Sequence, residues 1–295
     1  MGAVAARGPL SAGERVLIVD HKDRRYLLRL KAGQAFHTHA GILSHDAIIG
    51  SEEGSTVTGS TGRNFVVVRP TLSDVVVKMP RGAQVIYPKD LGAILLAADA
   101  GPGVRVLEAG VGSGALSMAL VRAGCSVLGY ELREDFAARA TANVEAFIGE
   151  SIARGDWYRV EIRDVYDGIS ETGLDRVILD VPEPWKVVEH AERALRPGGI
   201  LCCYLPTINQ TSELRSTLDR SCFGLEQTFE VLHRTWHVED RSVRPDHRMV
   251  AHTGFLTTAR LLSESAPKET QDRSAGSAQS FSMKMHSPGH SSEAS

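Results

Sequence analysis

The run Val104–Leu120, V-R-V-L-E-A-G-V-G-S-G-A-L-S-M-A-L, sets the acid Glu108 just ahead of Gly110, Gly112 and Gly114. Glycines let the backbone turn tightly and let a ligand lie against it, with the amides of a following helix aimed at that ligand. The spacing G-x-G-x-G behind an acid differs from the G-x-G-x-x-G of dinucleotide pyrophosphate sites. A carboxylate here repels a pyrophosphate but receives a cationic amino-acid head group, which favours S-adenosylmethionine. Glu131 closes the next apolar run, S-V-L-G-Y-E, where an acid can accept both hydroxyls of a ribose. Asp164, in R-D-V-Y-D-G, is placed to accept the exocyclic amine of an adenine, with Val165 offering a backbone amide.

The strongest catalytic signal is L-D-V-P-E-P-W at 179–185. Two prolines stiffen the chain directly after Asp180, and a rigid loop carrying an acid and the aromatic Trp185 suits a flat, amine-bearing ring. Amino-methylating enzymes often carry an Asp/Asn-Pro-Pro-aromatic loop at this place, and this stretch is an expanded relative of it. In Q-V-I-Y-P-K-D at 84–90, Tyr87 could cover a methyl donor or stack on a base.

The elements that must position these residues alternate. Periodicity predicts helices near 88–100, 114–123, 134–148, 186–195 and 209–220, and strands at 104–108, 126–131, 158–163, 175–180 and 199–205. That order means an α/β fold with parallel strands and crossover helices, whose ligands bind beyond the carboxyl ends of the strands. Glu108 to Gly114, Glu131, Asp164, Asp180 and Tyr204 all fall there. Residues 223–238 and 252–262 read as a terminal antiparallel pair, joined by a projecting polar loop. In front, R-V-L-I-V-D, R-Y-L-L-R-L, N-F-V-V-V-R-P and D-V-V-V-K-M read as strands. The expected organisation is a small β domain over 1–80, a sheet domain over 81–262 and a disordered polar tail over 263–295.

The chain has 295 residues, 42% of them hydrophobic, enough for a full α/β core and a smaller second unit. No apolar stretch is long enough to span a bilayer and no secretory signal is visible, so a cytoplasmic protein is expected. Cys125, Cys202, Cys203 and Cys222 form no C-x-x-C pair and the eleven histidines no H-E-x-x-H, so no metal is expected. The net charge is −3, yet residues 1–80 carry ten Lys and Arg against seven Asp and Glu, concentrated in H-K-D-R-R-Y-L-L-R-L-K at 21–31. Such a run is a solvated strand face or a phosphate-contacting edge. A second basic and aromatic stretch holds Arg234, Trp236, His237, Arg241, Arg244, His247 and Arg248, diluted by Glu239, Asp240 and Asp246.

Together, R-G-A-Q-V-I-Y-P-K-D, V-L-E-A-G-V-G-S-G-A-L-S, L-D-V-P-E-P-W and R-P-G-G-I-L-C-C-Y-L-P-T-I-N-Q, with the β domain in front, resemble the tRNA (adenine-58-N1)-methyltransferase family in its homo-oligomeric bacterial and archaeal form. The resemblance spans roughly residues 10–262. It implies a Rossmann-like seven-stranded class I methyltransferase sheet, S-adenosylmethionine as donor, N1 of an adenosine in the T-loop of tRNA as acceptor, and a homotetramer. By the same resemblance Asp180 is the catalytic acid and also borders the cofactor. Gly112, Ser113, Gly114, Glu131 and Asp164 fall on cofactor positions, and Tyr87, Tyr204 and Gln210 near the target base; Gln84 and Ala115 are further candidates for the cofactor and Trp185 for the substrate. Two other functions fit parts of the pattern. A methyltransferase acting on a small molecule or a protein carboxylate would work without RNA and tolerate loss of residues 1–80. A non-catalytic tRNA-binding subunit would have a decayed glycine loop, and this loop is intact.

Overall fold

A computed structural model describes residues 8–79, 82, 84–149 and 157–263. The tail expected to be disordered lies outside the described residues, apart from Ser263 at its start.

The first part is antiparallel β. Strands β1 (Arg15–Asp20), β2 (Arg25–Arg29), β5 (Thr56–Thr58) and β6 (Asn64–Val68) form a sheet in the order β2-β1-β6-β5, while β3 (Ala35–Thr38) and β4 (Gly41–Ser44) make a separate hairpin. Alternation sets the faces: Val16, Ile18, Phe65 and Val67 are buried in one cluster with Leu30, Leu43 and Ile48, whereas Val66 between two of them is exposed.

D-V-V-V-K-M is not a strand. Helix α1 (Leu72–Lys78) begins at a reciprocal cap in which the Thr71 hydroxyl accepts from the Asp74 amide at 3.2 Å and the Asp74 carboxylate accepts from the Thr71 amide at 3.0 Å. Two otherwise orphaned helix-end amides are thereby satisfied, and Val75 and Val76 are fully buried. Capping and burial override the strand propensity of three valines.

From α2 (Pro88–Ala97) onward strands and helices alternate. They are β7 (Arg105–Ala109), α3 (Ala115–Arg122), β8 (Ser126–Glu131), α4 (Glu134–Ile148), β9 (Tyr158–Ile162), β10 (Leu174–Leu179), α5 (Val188–Ala194), β11 (Leu195–Leu205), α6 (Ile208–Leu218), β12 (Phe223–Phe229) and β15 (Phe255–Leu261). The seven strands order as β12-β15-β11-β10-β7-β8-β9, parallel from β11 to β9, with β15 antiparallel to both its neighbours. This is the expected Rossmann-like seven-stranded sheet. Val106, Val127, Ile178 and Cys202 turn to the face covered by α2 and α3, and Leu107, Leu128, Val177 and Leu201 to the opposite face. Both faces are covered, so the strands read as continuous apolar runs.

The break expected as a loop is a hairpin, β13 (Trp236–Glu239) paired with β14 (Ser242–Pro245). Trp236, Val238 and Val243 on it are 57, 71 and 60% exposed. Strand β7 has β8 on one side and β10 on the other, so the chain reverses its winding there and opens a crevice at the carboxyl ends of β7 and β10.

Candidate active site

The crevice is a cleft lined by Gln84, Val85, Ile86, Glu108, Gly110, Val111, Gly112, Ser113, Ala115, Leu116 and Asp180. Two loops fuse to make its floor. Gly110 (φ +83°) packs so closely on the chain after β10 that a β-carbon there would stand 2.1 Å from the Asp180 carbonyl oxygen, and the Asp180 amide donates to the Ala109 carbonyl at 2.9 Å. The Asp180 carboxylate therefore stands beside the glycine loop. Gly114 (φ +80°) opens α3, and a β-carbon on it would press the Ala140 backbone at 3.1 Å. At Gly112 (φ +56°) a β-carbon would meet nothing within 4 Å, so this part of the loop borders open space.

The acids sit at different depths. Glu108 is fully buried and accepts from the Ser117 hydroxyl at 2.6 Å. Burial pushes its carboxyl up to about 8, opposed by Ser117 and reinforced by the charges of Asp180 and Glu131. Loss of water likewise raises Asp180 to about 7. Glu131, half-buried, accepts from the Gly112 amide at 2.9 Å and the Arg133 amide at 3.0 Å, which locks it to the rim of the loop. Ser113 is 3% exposed, and its hydroxyl has no partner among the described residues. A buried hydroxyl with nothing to bond, beside open space and next to acids, fits an incoming polar ligand.

The remaining sequence-predicted residues divide. Asp164 stands beyond β9, where one oxygen caps a short turn by accepting from the Tyr166 amide at 2.9 Å. The Val165 side chain is buried in the core cluster on the α5 face. Tyr87 is the residue before α2, adjoining Ile86 of the cleft. Tyr204 is buried at the end of β11, next to Asp180 in the register that pairs Leu179 with Cys203. Trp185 and Gln210 both have structural partners around the proline loop. Trp185 packs against the same cluster as Val165, and the Gln210 amide donates to the Pro182 carbonyl at 3.0 Å. With the Tyr166 hydroxyl, which accepts from the Glu183 amide at 3.0 Å, Gln210 braces the proline loop from behind. Leu132, which the motifs do not single out, is 64% exposed directly after Glu131.

Two raised carboxyls in one cleft give a measurable linkage. Each binds its proton more tightly folded than unfolded, so the ligand-free protein loses stability as pH rises from the ordinary carboxylate range to about 8. A cationic ligand favours the ionised forms instead. Calorimetry of S-adenosylmethionine binding at pH 7 in buffers of different ionisation enthalpy is expected to show proton release, and affinity is expected to rise with pH up to about 8. Binding without proton exchange would contradict the placement of these acids.

Comparison with known proteins is consistent with this geometry. A family model described as tRNA methyltransferase complex GCD14 subunit matches residues 64–244, and one described as TrmI-like N-terminal matches residues 8–57. The tRNA (adenine(58)-N(1))-methyltransferase TrmI of Thermus thermophilus is 39% identical over 248 residues, covering 83% of this chain and 96% of its own. The tRNA (m1A58) methyltransferase TrmI of Aquifex aeolicus superposes with a TM-score of 0.76 at 32% identity, covering 87% of this chain and all of the other. A Thermotoga maritima protein described as a SAM-dependent O-methyltransferase superposes with a TM-score of 0.82 at 31% identity, covering 88% and 96%. By its sheet, its cleft and these matches, the chain belongs to the tRNA methyltransferase family of the GCD14 subunit.

Proposed function

We infer that this protein is an S-adenosylmethionine-dependent methyltransferase acting on N1 of adenosine 58 in the T-loop of tRNA. One observation carries the reading: the Asp180 carboxylate shares a cleft with the glycine loop because Gly110 packs directly on the Asp180 backbone. Its relatives' names supply the acceptor.

The residues fit the cofactor. Glu108 would hold its ammonium end, Ser113 and the Gly112 region its amino-acid carboxylate, and Glu131 its ribose. Asp164, Val165 and Leu132 would border its adenine. When bound, S-adenosylmethionine supplies a methyl group on a positively charged sulfur. N1 of adenine has an in-plane lone pair, so the protein need not remove a proton before attack. Asp180 accepts a hydrogen bond from the N6 amine and opposes the positive charge that grows on the ring as N1 is alkylated. Positioning and electrostatics are the sources of rate. N1 lies on the pairing edge of the base, so the adenosine must leave its stack, at a cost of a few kcal/mol that contacts with Tyr87 and Tyr204 offset.

RNA contact draws on the two basic stretches. In the first, Arg24 is paired with Asp20 at 2.7 Å and Arg25 lies 3.8 Å from Asp74, which leaves exposed Lys22, Arg29 and Lys31 as its better phosphate ligands. A homotetramer would sum such patches across subunits, and a cytoplasmic location is in keeping with a tRNA substrate. Affinity for tRNA should fall steeply with salt.

A second reading, methyl transfer to oxygen, is favoured by the description of the Thermotoga relative. Methyl transfer to an unmodified tRNA transcript and to one with guanosine at position 58 separates the two. The first should be labelled and the second should not. Equal labelling of both, or transfer only to a non-RNA acceptor, would reject the reading.

A further inference from the structure

Behind Tyr204 lies a closed polar ring that the methyl-transfer chemistry leaves unused. Lys89 Nζ donates to Asp90 Oδ1 at 2.7 Å and to Thr253 Oγ1 at 2.6 Å, and Thr253 Oγ1 donates to Asp90 Oδ2 at 2.6 Å. The Lys89 side chain is 5% exposed and the Asp90 side chain fully buried. Burying an ion pair gains little stability over apolar packing, so the ring calls for another reason. Its placement adds to this. Asp90 suits the first turn of α2, but a lysine there opposes the helix dipole.

The ring joins three remote pieces of chain at one side chain. Lys89 and Asp90 begin α2, right after the Gln84–Ile86 stretch that lines the cleft. Thr253 ends the excursion that carries the β13–β14 hairpin, and His252 beside it is pinned to the Pro206 carbonyl at 2.9 Å. Tyr204 stands between them. Its hydroxyl reaches Asp90 Oδ2 at 3.5 Å, and Gly254 lies so close that a β-carbon there would stand 2.4 Å from the ring carbon bearing that hydroxyl. Burial raises the phenol to about 12, so it donates at any working pH. Lys89 neutralises Asp90, so the hydroxyl is held without adding an uncompensated negative charge near Asp180.

We propose that Lys89, Asp90 and Thr253 form a positioning network that fixes the Tyr204 ring against the acceptor side of the cleft. That the ring meets a target adenine rests on the function inferred above; the fixing of the ring does not. Thr253→Val removes the bridging hydroxyl with little change of shape, and Thr253→Ser retains it.

The first readout is the flip rate of the Tyr204 ring by NMR of 13C-labelled tyrosine, with six tyrosines in the chain and Tyr204→Phe to assign the signal. Thr253→Val should speed the flip at least tenfold and Thr253→Ser should not. The second is a double-mutant cycle on tRNA methylation. Thr253→Val should lower kcat about tenfold with S-adenosylmethionine affinity within twofold, and should have no further effect in a Tyr204→Phe background. An unchanged flip rate overturns the proposal whatever the acceptor is. So does a loss of activity equally large in both backgrounds. Faster flipping in a protein whose wild type leaves tRNA unmethylated would instead reject the function and keep the network.

Discussion

Asp180→Ala is expected to lower methyl transfer to tRNA by about 10² to 10³-fold, the usual effect of removing one preorganised electrostatic partner of a transition state. Affinity for S-adenosylmethionine should change far less, because Glu108, Ser113 and Glu131 remain. Asp180→Asn keeps an acceptor for the adenine amine and loses only the charge, so it should fall between the wild type and alanine. The wild-type carboxyl stands near 7 before ligands bind, and its ionised form is the useful one. At low S-adenosylmethionine kcat/KM should therefore rise with pH through about 7 and level off, the limb should move to lower pH when the cationic cofactor saturates, and Asp180→Asn should flatten it. Neither variant should unfold. The Asp180 backbone is held by the Ala109 carbonyl and by Gly110, and removing a desolvated carboxyl leaves Tm unchanged or higher. A full-rate alanine variant would remove Asp180 from the chemistry.

Gly110→Ala should have the largest structural effect. A β-carbon would enter at 2.1 Å from a backbone oxygen that cannot swing aside, at a φ of +83° that alanine adopts only with strain. A positive φ costs about 1 kcal/mol or more and the clash about 1 to 3 kcal/mol in addition, so a loss of about 2 to 4 kcal/mol is expected. Denaturant unfolding reads it directly, and any folded fraction should bind S-adenosylmethionine poorly because the glycine loop itself must shift to clear the Asp180 carbonyl. Gly112→Ala is the contrast. Its β-carbon meets open space, so stability should fall by only about 1 kcal/mol while affinity for the cofactor drops. If both variants were equally stable, the close approach of the two loops would be wrong.

These two glycines show what the sequence could carry and what it could not. The motif around Gly110 was legible as a strand-to-helix turn, and the strand-end positions of Glu108, Glu131, Asp164 and Asp180 followed from the alternation of apolar runs. Their convergence at one switch point follows from the handedness and order of parallel strands. What a residue does once it arrives was less legible. Trp185 and Gln210 stand in the expected motif, but the sequence does not show that the first packs on the core cluster or that the second donates to the Pro182 carbonyl. Nor does periodicity reveal that Lys89, Asp90 and Thr253 meet, because a contact across 164 positions leaves no local pattern. At two places local chemistry outweighs periodicity. T-L-S-D at 71–74 is a helix cap, and E-D-R-S at 239–242 turns a hairpin with Asp240 in the left-handed region (φ +47°).

Nucleoside mass spectrometry of an unmodified tRNA after incubation with the protein and S-adenosylmethionine tests the central claim most directly. The account predicts one 1-methyladenosine per tRNA, mapped to position 58 and strongly reduced for Asp180→Ala. A methylated product other than 1-methyladenosine, or the same yield from the alanine variant, would contradict it.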